Sequence, residues 1–198
     1  MSAKLEMKTR ILDEAVRIIS SHGERALRLR DVARAIGISE PTLYHYFDNR
    51  DSLVVAALAH RYRNELSATI DPFVPAVRNC TSKPEFITIL QKVYTDSFRP
   101  ERTAIRMTRA EVVTSAFVRE TLRHEIKSIM MESIAPSIEA LQVASDRGWL
   151  PAEIDIRAFA LLNLSLISGR IFPEIQDDPD LLAKWDALAI SAVTALIS

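Results

Sequence analysis

The 198-residue chain has a single cysteine, four glycines and no segment where apolar and polar residues alternate long enough to make a half-buried strand. Cys80 alone cannot close an internal disulfide, and MSAKLEMKTR leads into an amphipathic pattern with no signal-peptide core, so a cytoplasmic location is expected. The most apolar run, Ala158 to Ser168, is short for a bilayer crossing and is bounded by Arg157 and Arg170, so no membrane partner is expected. His22, His45, His60 and His124 are scattered, and no His/Cys cluster has metal-ligand spacing. Glycine-rich phosphate loops, nucleophile elbows and HExxH are also missing. The expectation is therefore a protein that is not an enzyme, with no catalytic residues, metal or cofactor.

Strong net charge is absent too, but the overall value of −1 hides an asymmetry. Residues 1–63 carry 11 Lys+Arg against 8 Asp+Glu, a balance of +3, which leaves −4 for residues 64–198. A mildly basic head on an acidic body suits an end that meets a polyanion, and solvated helix faces produce the same imbalance.

What is present is helical periodicity throughout. The expected fold is all-α, with about nine helices in two units: a three-helix head over residues 4–50 and a helical body over 51–198. In the first helix, roughly Lys4 to Ser21, Ile11, Ala15, Ile18 and Ile19 make one apolar stripe, and Gly23 is a natural stop. Leu29, Val32, Ala33 and Ile36 repeat the spacing in a short second helix that Gly37 ends.

The stretch GISEPTLYHYF, Gly37 to Phe47, is tightly punctuated. Gly37 suits a left-handed C-cap, Ser39 an N-cap, Glu40 the positive end of the next helix, and Pro41 its first turn. On that helix Leu43 and Phe47 are one turn apart and can face the core. Pro41, Thr42, Tyr44, His45 and Tyr46 are then wholly or partly outside. A helix-turn-helix accounts for such a face, because its second helix must carry groups that touch base edges and phosphates in a major groove. An ordinary helical hairpin, with Tyr44 and Tyr46 half-buried under the following helix, fits the same spacing.

LRLRDVARAIGISEPTLYHYFDNRDSLV, Leu27 to Val54, resembles the DNA-binding segment of the TetR (tetracycline-repressor) family of bacterial transcriptional regulators, with the motif at about 28–47. The resemblance covers about the first 55 residues. It implies that Pro41, Thr42, Tyr44 and His45 lie toward base edges and backbone and that Tyr46 bonds a phosphate, and Ser39 at the helix start is counted with these DNA-binding residues. Arg50 stands where the family usually has lysine and is expected at a phosphate. Glu40 replaces a basic or amide residue and is a candidate for discriminating between sequences. Arg28 replaces the hydroxyl residue that caps the second helix, and a phosphate contact is expected of it. The function implied is a homodimeric repressor on a near-palindromic double-stranded operator, released by a small-molecule effector. A helical protein-interaction module, or a regulator controlled by a protein partner, is the alternative.

In the body, helices are expected at about 51–70, 84–98, 102–117, 118–147, 156–172 and 179–197, with Pro136 marking a kink or break. Apolar residues surround the helix that holds Leu161, Leu164, Ser165 and Ile167, and the last helix repeats the theme with Leu188 and Ala192. These residues are the expected dimer interface, and a central core helix of a monomer fits the same pattern. Tyr94, Phe98, Met107, Phe117, Met130, Met131 and Trp149 are pocket candidates, with Arg106, Arg109, Glu111 or His124 as polar anchors. Plain core is the competing reading for each.

Overall fold

A computed structural model describes residues 3–197, and every regular element among them is helical. The nine expected helices are present, and two short ones add to them. The head holds α1 (Ala3–His22), α2 (Leu29–Ile36) and α3 (Glu40–Tyr44), with a 3-10 turn at Glu24–Ala26. The body holds α4 (Arg50–Ile70), α5 (Phe73–Asn79), α6 (Lys83–Ser97), α7 (Thr103–Val118), α8 (Glu120–Asp146), α9 (Ile156–Gly169), α10 (Ile171–Glu174) and α11 (Pro179–Ile197). The additions are α5 and α10, both under eight residues.

Local chemistry sets the boundaries. Gly37 lies in the left-handed region at φ 75°, and the Ile38 N–H returns to the Ala33 carbonyl at 3.0 Å, which closes α2. Asn49 and Ser52 form a reciprocal capping box at the start of α4. Pro136 sits inside an α8 that runs unbroken from Glu120 to Asp146.

Two apolar cores organise the packing. The first joins Ile11, Ala15, Val32, Leu43 and Phe47 of the head to Leu53, Ala57 and Leu66 of α4, and continues into Val112 of α7 and Leu122, Ile126 and Ile129 of α8. Helix α4 therefore belongs to both units, with one end in the head core and the other in the body. The second core lies beyond it, around Phe86, Leu90, Tyr94, Ala140, Phe159, Ile167 and Val193. Cys80 is buried in this second core, and its thiol donates to the Val77 carbonyl at 3.0 Å.

The stretch Ile156–Glu174, with mean hydropathy 1.2, is long and apolar enough by composition to cross a membrane. That corrects the expectation drawn from the shorter run Ala158–Ser168. The helix is interrupted after Gly169, however, and the buried Arg170 guanidinium pairs there with Asp186 at 2.7 and 2.8 Å. A buried ion pair tied to a neighbouring helix suits a protein core better than hydrocarbon.

Candidate nucleic-acid interface

The candidate interface is built on α3 and its supports. The Ser39 hydroxyl accepts from the Thr42 N–H at 3.2 Å and shares a 2.7 Å hydrogen bond with the Thr42 hydroxyl, so both side chains are engaged at the helix start. Leu43 and Phe47 are buried, which fixes the rotation of the segment against α1 and α2. That rotation leaves Glu40, Pro41, Tyr44 and His45 exposed and Thr42 and Tyr46 half-buried. Tyr44 keeps 50% of its surface in solvent although it is one of the largest side chains in the head.

Other elements hold this face in place. The Arg10 guanidinium on α1 donates to the Ile36 carbonyl at the end of α2, and His60 on α4 bonds Asp13 on α1 at 2.8 Å. Arg50 was expected at a phosphate, but its guanidinium turns inward, donating to the Leu27 carbonyl at 3.0 Å and the Glu24 carbonyl at 2.5 Å. Those carbonyls flank the 3-10 turn, and the Glu24 carbonyl also accepts from the Leu27 N–H at 3.1 Å, so Arg50 serves the head's internal structure. Arg28 is exposed, yet one guanidinium nitrogen caps the Arg25 and Leu27 carbonyls at 2.6 and 3.0 Å, and its side chain does not cap α2. Arg30 and Arg34 project from α2 with side chains 67% and 78% exposed, although no motif marks them. Their contacts to Asp31, at 3.7 and 3.8 Å, are loose. Two cations flanking one carboxylate carry no sign of orientation in the sequence; only the rotation of α2 sets it.

The head is clasped to the body. Arg119, between α7 and α8, forms a two-point ion pair with Glu24 at 2.6 and 2.9 Å. The Arg119 hydrogen bonds hold the Glu24 carboxyl below the usual carboxylate range despite partial burial.

The residues expected at a body pocket are dispersed. Tyr94 is in the second core, its hydroxyl donating to Asn163 Oδ1 at 2.6 Å. Phe98 is buried between Tyr94 and Trp185. Arg106 is fully buried and meets Glu174, Thr103 and the Ser97 carbonyl. Met107, Glu111 and His124 are exposed, and Trp149 is half-buried on Phe86 beneath Arg147. Phe117 and Met131, with Met130, line a shallow apolar groove between α7 and α8.

Two deeper hollows lie elsewhere. One, between α4, α6, α8 and α9, is lined by residues such as Ile70, Leu90, Ile134, Leu141 and Leu164. The other, between α4, α7, α8 and α9, is lined by Tyr62, Arg109, Val113, Met130, Leu164 and Ser168 among others. Of the expected anchors, Arg109 alone reaches one of these two hollows.

Of the expected interface residues, Leu161, Ser165, Leu188 and Ala192 are exposed and Leu164 is half-buried. Ile167 is 5% exposed and faces the second core of its own chain, which removes it from any contact with a partner. Leu162, Leu181 and Leu196 extend the exposed apolar faces of α9 and α11.

Residues 11–57 match the family model described as bacterial regulatory proteins, tetR family. The transcriptional repressor KstR2 of Rhodococcus jostii is 42% identical over 53 residues, which are 27% of this chain and 26% of that protein. The transcriptional regulator BetI of Rhizobium meliloti is 29% identical over 96 residues, 48% of this chain and 45% of that protein. The chain thus spans less than half the length of the curated relatives it matches. A solved structure described as a TetR-family transcriptional regulator from Rhodococcus sp. has the same fold, with a TM-score of 0.70 at 21% identity over 96% of this chain and 98% of that one.

Proposed function

We propose that this chain, whose residues 11–57 match the tetR family of bacterial regulatory proteins, is a cytoplasmic, homodimeric transcriptional repressor that binds a near-palindromic operator and releases it on binding a small molecule. One observation carries the reading: burial of Leu43 and Phe47 turns Pro41, Tyr44 and His45 outward together on a rigidly capped α3. A solvent-facing row of this kind matches what a recognition helix needs, with flat apolar surface for thymine methyls and hydroxyl or imidazole groups for base edges and phosphates.

Roles follow from exposure. Pro41, Tyr44 and His45 face the base edges, and Tyr46 and Thr42 face the backbone. Glu40 at the leading end is placed to accept from a cytosine amino group. Arg30 and Arg34 supply phosphate contacts from α2, a task that Arg50 is too engaged to perform. Arg50 and Arg28 act one step back, by holding the turn before α2. The exposed apolar stripes of α9 and α11, with Leu161, Ser165, Leu188 and Ala192, form the dimer contact. Two such heads reach half-sites about 34–36 Å apart.

Selection from a random double-stranded DNA pool, with a Tyr44→Ala, Tyr46→Ala double variant as control, tests the proposal. Enrichment of a near-palindromic site by the native protein alone is the expected result, with affinity falling steeply as salt rises. Failure to enrich any sequence at low salt would overturn it and assign the outward aromatic face to a protein partner.

A further inference from the structure

Helix α7 buries an unusual stripe. Arg106, Arg109, Val112 and Ala116 point inward, although two of the four carry a full charge. Arg106 is compensated by Glu174. Arg109 is not. Among the described residues it makes no ion pair within hydrogen-bonding reach, although it is only 3% exposed. One guanidinium nitrogen, Nη2, donates to the Glu65 carbonyl at 2.5 Å and to the Thr69 hydroxyl, while Nε has no acceptor.

The nearby carboxylate of Glu65 offsets the Arg109 charge only in part and makes no ion pair with it. Glu65 is taken by Arg61 at 3.1 Å, and its second oxygen also lacks a donor. Burial pushes the Glu65 carboxyl above its ordinary range, partly opposed by Arg61 and Arg109 and reinforced by Glu111. Burial pulls the Arg109 guanidinium below its ordinary range; Glu65 and Tyr62 offset this in part, and Arg102 and Arg106 add to it. Leaving a cation in this state is costly, since a buried charge without an ion-pair partner keeps most of its desolvation penalty.

Arg109 is also a wall of the hollow between α4, α7, α8 and α9, about 200 Å³ in volume. That is smaller than the roughly 300–1,000 Å³ of drug-sized sites and suits a small ligand. Beyond the guanidinium the lining is mostly apolar, with Ala110, Val113, Met130 and Leu164, and carries the hydroxyls of Tyr62 and Ser168; Leu161 and Ser165, assigned above to the dimer contact, form its remaining α9 side.

We propose that this hollow binds a small amphiphilic monocarboxylic acid, its carboxylate on Arg109 and its apolar part against Val113, Met130 and Leu164. The inference rests on the proposed ligand-released function and names the chemical class of the ligand. A monoanion fits because one cation lacks an ion-pair partner; a phosphomonoester dianion would overcompensate it. Charge-assisted hydrogen bonds from a guanidinium are worth about twice a neutral one, so the carboxylate should dominate selectivity. Drawing the Arg109 side chain toward the ligand loosens its grip on Glu65 and Thr69, and those two residues belong to α4, the helix whose other end is in the head core.

The test is a thermal-shift and calorimetric titration of the full chain with octanoate and 4-phenylbutyrate, their matched primary amides, and octyl phosphate. The acids should stabilise the protein saturably and the amides should not. Arg109→Met should weaken acid binding about tenfold or more. Ala110→Leu, which fills the hollow and leaves the guanidinium in place, should do the same, and it decides the matter if circular dichroism shows Arg109→Met to be unfolded. Equal stabilisation by the amides, stronger binding of the phosphate, full binding by Ala110→Leu, or no stabilisation by either acid would each overturn the site. Operator binding measured alongside separates the two proposals. Acid binding that leaves DNA affinity unchanged upholds the carboxylate site and removes its role as the release signal.

Discussion

Head and body place their unexpected residues in opposite ways. The head puts large aromatic groups outside, with Tyr44 half in solvent, and reserves its interior for aliphatic residues and Phe47. The body leaves Met107 and Phe117 outside and takes Arg106, Arg109 and Arg170 in. Aromatic surface in water is a standing cost that a partner on that surface can remove, whereas charge in a core must be answered by another charge or by a ligand. The head therefore advertises its function on its surface, and the body conceals its own among helix contacts.

The largest expected effect tests the body's side of that contrast. Glu174→Ala strands Arg106 and leaves Arg170 with Asp186 alone; both arginines converge on this carboxylate from α7 and the end of α9. A loss of about 3–5 kcal/mol in urea unfolding is expected, because breaking one partner of a buried pair leaves uncompensated charge. A loss under about 1 kcal/mol would mean that the network is solvated and that the body buries no real charge.

Tyr44→Ala makes the opposite cut. It should lower operator affinity by about 1–3 kcal/mol, the scale of one lost base contact, with thermal stability unchanged. A drop in stability of comparable size would place Tyr44 in the core and erase the distinction. Gly37→Ala comes next. Its φ of 75° suits glycine, and an added Cβ meets no atom within 4 Å, so the cost is backbone strain alone, about 1–2 kcal/mol of head stability by denaturant titration.

The smallest effect concerns the clasp between the units. Arg119→Gln should cost up to about 1 kcal/mol near neutral pH, since the pair is partly exposed. The Glu24 carboxyl is held below its ordinary range in the folded chain, so the clasp contributes above the unfolded value of about 4.3 and fades as pH falls through the lower folded value. Native and variant stabilities should therefore converge in acid. A difference that persists there would mean that Arg119 acts by packing.

The same contrast explains what could be read in advance. The head was legible because its signals are local: Gly37 and Ser39 fix where two helices meet, and the Leu43/Phe47 spacing fixes which face turns in. Arg50 escaped that logic, since its acceptors at Glu24 and Leu27 are more than twenty positions away and only the folded head brings them near. In the body the helices were legible and their facing was not. Methionine and phenylalanine were reasonable pocket candidates by type. Helix α7 nevertheless turns Met107 and Phe117 to solvent, because salt links to Glu174 and bonds to α4 hold its arginine stripe inside. No periodicity rule anticipates a helix whose buried side carries its charges. Ile167 shows the same limit, being apolar enough for an interface yet claimed by its own core.

Cys80 has a practical consequence. Burial raises its thiol pKa, and the sulfur is shielded in the second core, so the chain should be nearly silent toward thiol reagents under native conditions. A cysteine placed on an exposed head position such as Glu40 would then take a spin label or fluorophore alone, with no need to remove the native one. In the proposed homodimer, paired labels across two copies would read the separation of the heads directly, as a ruler for whether an added compound changes it.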